Sequence, residues 1–219
     1  MDLKGKKINF LGDSITEGCG ISDFSKCYTE LIAAREGAIS RNYGIGGTRF
    51  AKQTNELQIL EDKIGMDFCT RVYEMDEDAD IIVVFGGTND FGHGDAPFGR
   101  FENRTADTFY GAAHVLCRSL LERYPDADIV FITPLHRSNE DDVCGDNKPY
   151  AVADLKEYVN AIREVTEYYS IPVLDLYATS QMQPNIPLIK EKFMPDGLHP
   201  NDAGHELIAK KLTAFLKAL

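Results

Sequence analysis

Short apolar runs alternate with longer amphipathic stretches along almost the whole chain, and this alternation limits the folds that are open to it. Five runs have the length and composition of strands: 7–11, 38–43, 80–85, 128–133 and 172–175. Stretches with apolar residues at helical spacing lie between and after them, at 26–36, 55–73, 104–124, 150–169 and 201–219. Strands that alternate with helices predict a parallel sheet with helices on both faces, an α/β fold of three layers.

Length and composition narrow the class of protein further. With 219 residues and no visible linker, the chain suits a single domain over residues 1–219. Its net charge of −12 argues against a nucleic-acid partner and against docking on anionic membranes, because both need clustered Lys and Arg. The five cysteines are odd in number, show no metal-ligand spacing and follow no signal peptide. We interpret them as reduced thiols, which predicts a cytoplasmic protein.

Residues that could act in catalysis or ligand binding follow the predicted strands. The chain reads GDSITEG after the first run, NYGIGGT at the end of the second, GGTND after the third and PLHR after the fourth, and DGLHP follows about twenty residues beyond the fifth. The carboxyl ends of parallel strands meet at one edge of a sheet, where ligands bind in open α/β folds. We therefore expect a serine, several glycines, an asparagine, an aspartate and a histidine to converge at that edge.

Ser14, His199 and Asp196 have the chemistry of an acyl-transfer site. A serine hydroxyl becomes a good nucleophile when a base takes its proton, and His199 is the expected base because histidine titrates near neutral pH. Asp196 lies three residues before it, a spacing that brings two side chains together in a turn or in the first turn of a helix. We expect its carboxylate to orient the imidazole and to stabilise the imidazolium.

An acyl-transfer site also needs hydrogen-bond donors for the oxyanion of the tetrahedral intermediate. Suitable donors are the backbone N–H of Ser14, the side-chain amide of Asn89 and the backbone N–H of Gly46 or Gly47. Glycine suits this role because a backbone without a side chain can approach the substrate closely.

Four blocks of this sequence together resemble the SGNH (GDSL) hydrolases, a family named after its marker residues Ser, Gly, Asn and His. The blocks are Gly12-Asp13-Ser14, with Ile15 in place of the usual Leu, then NYGIGG at 42–47, Gly87-Thr88-Asn89-Asp90, and Asp196-Gly197-Leu198-His199-Pro200. They occur in the family order across residues 12–200. The family spacing puts the marker glycine of the second block at Gly47.

The resemblance implies a flavodoxin-like, five-stranded parallel sheet of order 2-1-3-4-5. It also implies hydrolysis of a small-molecule ester without a cofactor or a metal ion. Members of the family act on lipid esters, thioesters and acetylated sugars, so several substrate classes stay open.

Each of these residues also has a purely structural interpretation. Ser14 could be an N-cap or turn serine after a strand, Asn89 could brace a turn, and 196–199 could be a polar loop before a helix capped by Asn201. The chain lacks the glycine pattern of a phosphate-binding loop, and Thr16 stands where an α/β-hydrolase elbow needs its second glycine. Two alternatives to an esterase stay open. One is a non-catalytic flavodoxin-like module that binds an anionic small molecule at the same edge, and the other is an inactive relative kept for protein interactions.

Four further residues are candidates for contact with a substrate because they lie in the blocks beside Ser14 and Asn89 or follow the third and fourth strands: Asp13, Asp90, His93 and His136. Asp13 is also suited to orient the serine turn through its own backbone neighbours. A metal site at His93 and Asp95 would lack further ligands at a recognisable spacing, so no metal ion is expected.

The remaining histidines and one loop lead to weaker expectations. We expect structural positions for His114 and His205, each within a predicted helix, with His205 solvated or half-buried. The aromatic loop at 91–101 could cover the pocket or pack on its own helix.

Overall fold

A computed structural model describes residues 1–53, 63 and 65–219, and its centre is a five-stranded sheet. The strands are β1 (Lys7–Gly12), β2 (Ile39–Gly44), β3 (Ile81–Phe85), β4 (Asp128–Ile132) and β5 (Val173–Leu174). They lie in the order β2-β1-β3-β4-β5, and every neighbouring pair is parallel. The predicted α/β class and strand order are therefore confirmed.

Helices cover both faces of this sheet. Within the described ranges they are α1 (Ser14–Glu17), α2 (Tyr28–Glu36), α3 (Phe68–Arg71), α4 (Thr88–His93), α5 (Phe109–Arg123), α6 (Leu155–Tyr168), α7 (Leu176–Thr179), α8 (Pro187–Phe193) and α9 (Asp202–Ala218). None of the described helices has the length and apolar content needed to cross a bilayer.

Alternate residues of the central strands enter two separate cores. Ile82 and Val84 of β3 pack on one face with α5 and α6, and Val83 and Phe85 pack on the other face with α2 and α9. All five residues of β3 are buried, as expected for a strand covered on both sides. This explains why the 80–85 run is continuously apolar instead of alternating.

Capping residues set where the long helices begin. The Thr108 side chain accepts from the Gly111 N–H, so α5 begins at Phe109 and not at the predicted residue 104. A capping box of Asp154 and Glu157 starts α6 at Leu155, five residues after the predicted start. The last helix, α9, has Asn201 as its N-cap, as predicted.

The helix predicted at 55–73 is described only in part. Residues 54–62 and 64 lie outside the described residues, so most of this prediction stays a prediction. In the part that is described, Asp67 caps α3, and a turn of 3-10 helix follows at Val72–Glu74. The short helices α1, α4, α7 and α8 were not predicted, because four to seven residues are too few to show a helical period.

Strand register brings the carboxyl ends to one edge. Gly12 pairs with both Gly44 and Phe85, Phe85 pairs with Ile132, and Ile132 pairs with Leu174. The segments that follow β1, β2, β3 and β4 therefore leave the sheet side by side, and α1 and α4 begin directly after their strands.

Candidate active site

Ser14 lies in the first turn of α1, immediately beyond β1. Asp13 is the N-cap of this helix and accepts from the Ile15 N–H at 3.0 Å. The Asp13 side chain is buried, and this burial raises its pKa to about 6 although the Ile15 N–H opposes the rise. Asp13 therefore orients the turn that carries Ser14 through its bond to the Ile15 N–H. Ser14 itself is 7% exposed.

His199 meets Ser14 from the other end of the chain. The Ser14 Oγ lies 3.0 Å from the His199 Nε2, and the His199 Nδ1 lies 2.7 Å from the Asp196 Oδ2. The other Asp196 oxygen accepts from the backbone N–H groups of Leu198 and His199, at 2.8 and 2.7 Å. These bonds fix the carboxylate in the turn that carries the imidazole.

The hydrogen bonds around Asp196 favour its ionised form and one tautomer of the His199 ring. Partial burial raises the pKa of Asp196, but the N–H groups of Leu198 and His199 outweigh burial, and the net shift is downward. The Asp196 carboxylate is placed to accept from a proton on the His199 Nδ1, and in that tautomer the Nε2 lone pair can accept from the Ser14 hydroxyl. This arrangement prepares Ser14 to lose its proton.

The loop that follows β2 passes beside Ser14, since a Cβ added at Gly46 would lie 3.6 Å from the Ser14 Cβ. The loop after β2 turns back at Gly47, whose φ of +74° belongs to the left-handed region that favours glycine. The Gly46 N–H donates to Glu17 Oε2 at 2.9 Å, whereas the N–H groups of Gly47 and Ser14 have no partner within the described part of the chain. Of the two neighbouring glycines, Gly47 is therefore the one with a free donor.

The side-chain amide of Asn89 is a further hydrogen-bond donor. Asn89 lies in the first turn of α4 and is 5% exposed. One hydrogen of its Nδ2 is held by the carbonyl of Thr48 at 3.0 Å, which fixes the plane of the amide and leaves the second hydrogen available.

Asp90 braces the loop that carries Gly47 and Thr48. Its two carboxylate oxygens accept from the backbone N–H groups of Phe50 and Ala51, each at 2.9 Å. Burial raises the pKa of Asp90 to about 6, against the effect of these two donors. Both oxygens of Asp90 are thus engaged with the backbone of the loop that carries Gly47.

Arg71 supports the same edge, and sequence reasoning missed it. Its guanidinium is 2% exposed and donates to the Gly12 carbonyl at 3.2 Å, to the Thr48 hydroxyl at 2.9 Å and to the Tyr43 carbonyl. It therefore connects the ends of β1 and β2 to Thr48, in the loop that follows β2. Nothing in the sequence marks a lone arginine of an amphipathic stretch for this role, because its three acceptors lie 23 to 59 residues away.

His93 and His136 are each held by a charged neighbour. The Arg49 guanidinium lies 2.7 Å from the His93 Nδ1, and burial, followed by this guanidinium, lowers the pKa of His93 to about 4. The His136 Nδ1 lies 2.6 Å from the buried Glu140, and its ring packs on Tyr177 with 3.9 Å between the centroids.

His205 corrects an expectation. It is fully buried, not solvated or half-buried, because its Nδ1 accepts from the Tyr28 N–H at 3.1 Å and its ring stacks on the Tyr28 ring. His114 is buried as well, among the rings of Phe101, Tyr168 and Tyr169.

The aromatic residues of 91–101 pack on the long helices. Phe91 contacts Tyr158, Phe98 stacks on Phe109, and Phe101 contacts Tyr110. Their contacts are with α5 and α6, as the second interpretation of this loop expects. Among the described residues no group of three or more His, Cys, Asp and Glu side chains could hold a metal ion.

A hydrogen-bonded set of Ser14, His199 and Asp196 thus lies at the carboxyl edge of a parallel sheet, and these groups are of the kind that acyl transfer uses. Residues 10–207 match the model of the GDSL-like lipase/acylhydrolase family. The chain belongs to this family and is an SGNH-type hydrolase, as its sequence blocks predicted. The comparison with curated proteins found no match.

Solved structures show the same fold. A protein from Lactobacillus plantarum is 32% identical, with a TM-score of 0.83 and 98% of each chain covered. A member of the lipolytic G-D-S-L family from Veillonella parvula is 18% identical, with a TM-score of 0.64, 98% of this chain covered and 100% of the other. A two-domain esterase active on acetylated mannans is 20% identical, with a TM-score of 0.61, and matches 99% of this chain over 50% of its own length.

Proposed function

We propose that this protein hydrolyses carboxylic esters of small molecules through an acyl-enzyme on Ser14, with His199 as base and Asp196 as the third member of a triad. One observation carries the proposal: a continuous chain of hydrogen bonds, 3.0 Å from Ser14 to His199 and 2.7 Å from His199 to Asp196. A turn serine with a purely structural role would not need an oriented imidazole at its hydroxyl.

In the proposed mechanism His199 Nε2 takes the Ser14 proton as Oγ attacks the ester carbonyl. The carbonyl oxygen becomes an oxyanion and accepts from the N–H groups of Ser14 and Gly47 and from the Asn89 amide. When the intermediate collapses, the C–O bond to the alcohol breaks, and the alcohol leaves with the proton from His199. A water molecule, deprotonated by His199, then attacks the acyl-enzyme. The bond between the acyl carbon and the Ser14 Oγ breaks, the acid is released, and His199 returns the proton to the Ser14 Oγ.

The proposal also covers the kind of acyl group and alcohol that the substrate contains. Short-chain esters of sugars and of other small molecules, including acetyl esters, are the substrates to test beside lipid esters. An esterase active on acetylated mannans shares the fold, which makes acetylated sugars one class to include. We also propose a cytoplasmic location, which the five free thiols support.

The test combines chemical labelling with turnover. Wild type and Ser14→Ala are treated with an organophosphonate, the intact proteins are weighed by mass spectrometry, and p-nitrophenyl acetate hydrolysis is measured in parallel. We expect one adduct on Ser14 in wild type and loss of both adduct and turnover in the variant. Equal background rates and no adduct in either protein would refute the proposal and favour the module that binds an anionic small molecule.

A further inference from the structure

A polar cavity lies one helical turn beyond the oxyanion amide. It has a volume of about 190 Å³ and is lined by His93, Asp146, Asn147 and Lys148. His93 and Asn89 are four residues apart in α4, and residues at this spacing lie on the same face of a helix, about 5–6 Å apart at Cβ. The cavity is therefore close enough to Asn89 for one ester substrate to reach both.

His93 presents a donor to this cavity. An arginine can only donate, so the contact between Arg49 and His93 Nδ1 makes Nδ1 the acceptor. In a neutral imidazole the proton then lies on Nε2, which has no partner in the described part of the chain. Arg49 is itself 3% exposed and paired with Asp95, so it holds the ring in one tautomer and one orientation.

Asp146 presents an acceptor to the same space. Its Oδ1 accepts from Arg137 at 2.6 Å and from Asn139 at 2.8 Å, and no described residue donates to its Oδ2. The backbone N–H of Asp146 donates to the Gly92 carbonyl at 2.6 Å. A side chain at Gly92 would collide with the Asp146 carboxylate, so the glycine lets this carboxylate lie against α4, beside His93.

Lys148 supports the cavity wall. It is 7% exposed, and its Nζ donates to the Asp90 carbonyl at 2.8 Å and to the Tyr158 hydroxyl at 3.2 Å. Burial lowers the pKa of Lys148 to about 8 although Asp90 opposes the shift. This ammonium therefore connects the cavity wall to the backbone of the residue that follows Asn89.

We infer that this cavity is a subsite for a hydroxyl group of the substrate, which donates to Asp146 Oδ2 and accepts from His93 Nε2–H. A hydroxyl is both a donor and an acceptor, and it matches the unpaired donor and acceptor that the wall presents. An apolar group at this position would displace water from both atoms and give neither of them a hydrogen-bond partner. The inference rests on the proposed function and adds to it a preference for hydroxylated esters.

Paired esters and a set of variants test the inference. One pair, 6-O-acetylglucose and hexyl acetate, places the hydroxyl groups in the alcohol, and the other, methyl gluconate and methyl heptanoate, places them in the acyl part. In His93→Leu we expect kcat/KM for the hydroxylated member of one pair to fall about tenfold relative to its apolar partner. His93→Gln, which keeps a donor near the Nε2 position, should restore most of that ratio.

Asp146→Asn is a second variant that tests the inference if His93→Leu does not fold. It keeps an oxygen for Arg137 and turns the Oδ2 acceptor into a donor, so the same ratio should fall in it. The control Asp126→Asn, at an exposed residue, should leave the ratio as in wild type. Unchanged ratios in His93→Leu and Asp146→Asn for both pairs would overturn the inference.

A binding experiment separates this inference from the proposed mechanism. Ser14→Ala is titrated with glucose and with gluconate, and the His93 ring resonances are followed by NMR. A saturable shift with either compound supports the subsite, whether or not wild type hydrolyses an ester. Absence of ester hydrolysis together with such a shift would refute only the proposed function. No shift with either compound at high millimolar concentration overturns the subsite.

Discussion

At the scale of single residues, the site combines groups that react with groups that orient them. Ser14 and His199 would exchange a proton, whereas Asp13, Asp90 and Arg71 contact backbone at the edge where these side chains meet. The first kind is visible in a sequence because few residue types can act as nucleophile or base. Of the second kind, only Asp13 could be expected from the sequence, because its partner Ile15 is a near neighbour in the chain. Asp90 and Arg71 could not, because their partners are 23 to 59 residues away and are supplied by the fold.

The orientation of His199 predicts the effect of removing one charge. Asp196→Asn keeps the size of the side chain but favours the wrong imidazole tautomer, and we expect kcat to fall about 10⁴-fold, as in serine-protease triads. Steady-state hydrolysis of p-nitrophenyl acetate measures this effect, with Asp126→Asn as an exposed control. A loss of less than tenfold would show that the protein works with a Ser–His dyad alone.

The amide of Asn89 leads to a second prediction at this scale. Asn89→Ala removes one oxyanion donor, and we expect kcat to fall about 10²- to 10³-fold with a small change in KM, because the lost bond forms mainly in the transition state. Asn160→Ala, at an exposed position of α6, is the matched control. A KM effect without a kcat effect would place Asn89 outside the oxyanion hole.

At the scale of elements, the site depends on how closely the first helix approaches the second strand. α1 lies against β2 at Gly44, where an added Cβ would come closer than 3.0 Å to three backbone atoms of Thr16 and Glu17. The long helices could be predicted because their apolar periods extend over many residues, whereas the strand order followed only from the family resemblance. α1 and α4, which carry Ser14 and Asn89, could not, since four or six residues show no period.

This close approach predicts the effect of a single methyl group. Gly44→Ala should push α1 away from β2, lower the free energy of unfolding by about 2 kcal/mol or more and reduce kcat, because α1 carries Ser14. Urea unfolding and p-nitrophenyl acetate turnover measure the two effects.

The control for this variant is Gly5→Ala. Gly5 has a φ of +75° and no atom within 4 Å of an added Cβ, so this variant should cost only about 1–2 kcal/mol of backbone strain and leave kcat unchanged. A Gly44→Ala protein with wild-type kcat would show that α1 and β2 are not tightly coupled.

At the scale of the whole molecule, the two ends of the chain pack on each other. His205 of α9 accepts from the Tyr28 N–H, and Asp202 accepts from the N–H and hydroxyl of Ser22. Helix α9 packs on α2 in the core that also contains Phe10 and Phe85. The helical period of 201–219 predicted α9, but the burial of His205 depends on α2, about 177 residues earlier, and no local pattern contains that information.

His205 makes the stability of the fold depend on pH. Burial lowers its pKa from 6.5 to about 4, although Asp202 opposes the shift. Between these values the unfolded chain binds a proton that the folded chain does not, so the free energy of unfolding falls as the pH decreases from about 6.5 towards 4. Between pH 7.5 and pH 5.5, the titration of His205 alone should lower the free energy of unfolding by about 1 kcal/mol.

The variant His205→Asn isolates this effect. Its side-chain oxygen can still accept from Tyr28, but it does not titrate, so its stability should fall by about 1 kcal/mol less than that of wild type over the same range. Urea unfolding at both pH values measures the difference, and His205→Gln should behave alike. Parallel pH dependence in all three proteins would contradict a buried, neutral His205.

Ser14 and His199 are 185 residues apart, and this separation matters during synthesis. A growing chain contains the serine almost from the start but acquires the histidine only when most of its length has been translated. If the two act together as proposed, no shortened product that stops before residue 199 can cleave an ester. Hydrolysis by a newly made chain would therefore report that its early and late segments have joined, so the appearance of activity can time the final step of its maturation.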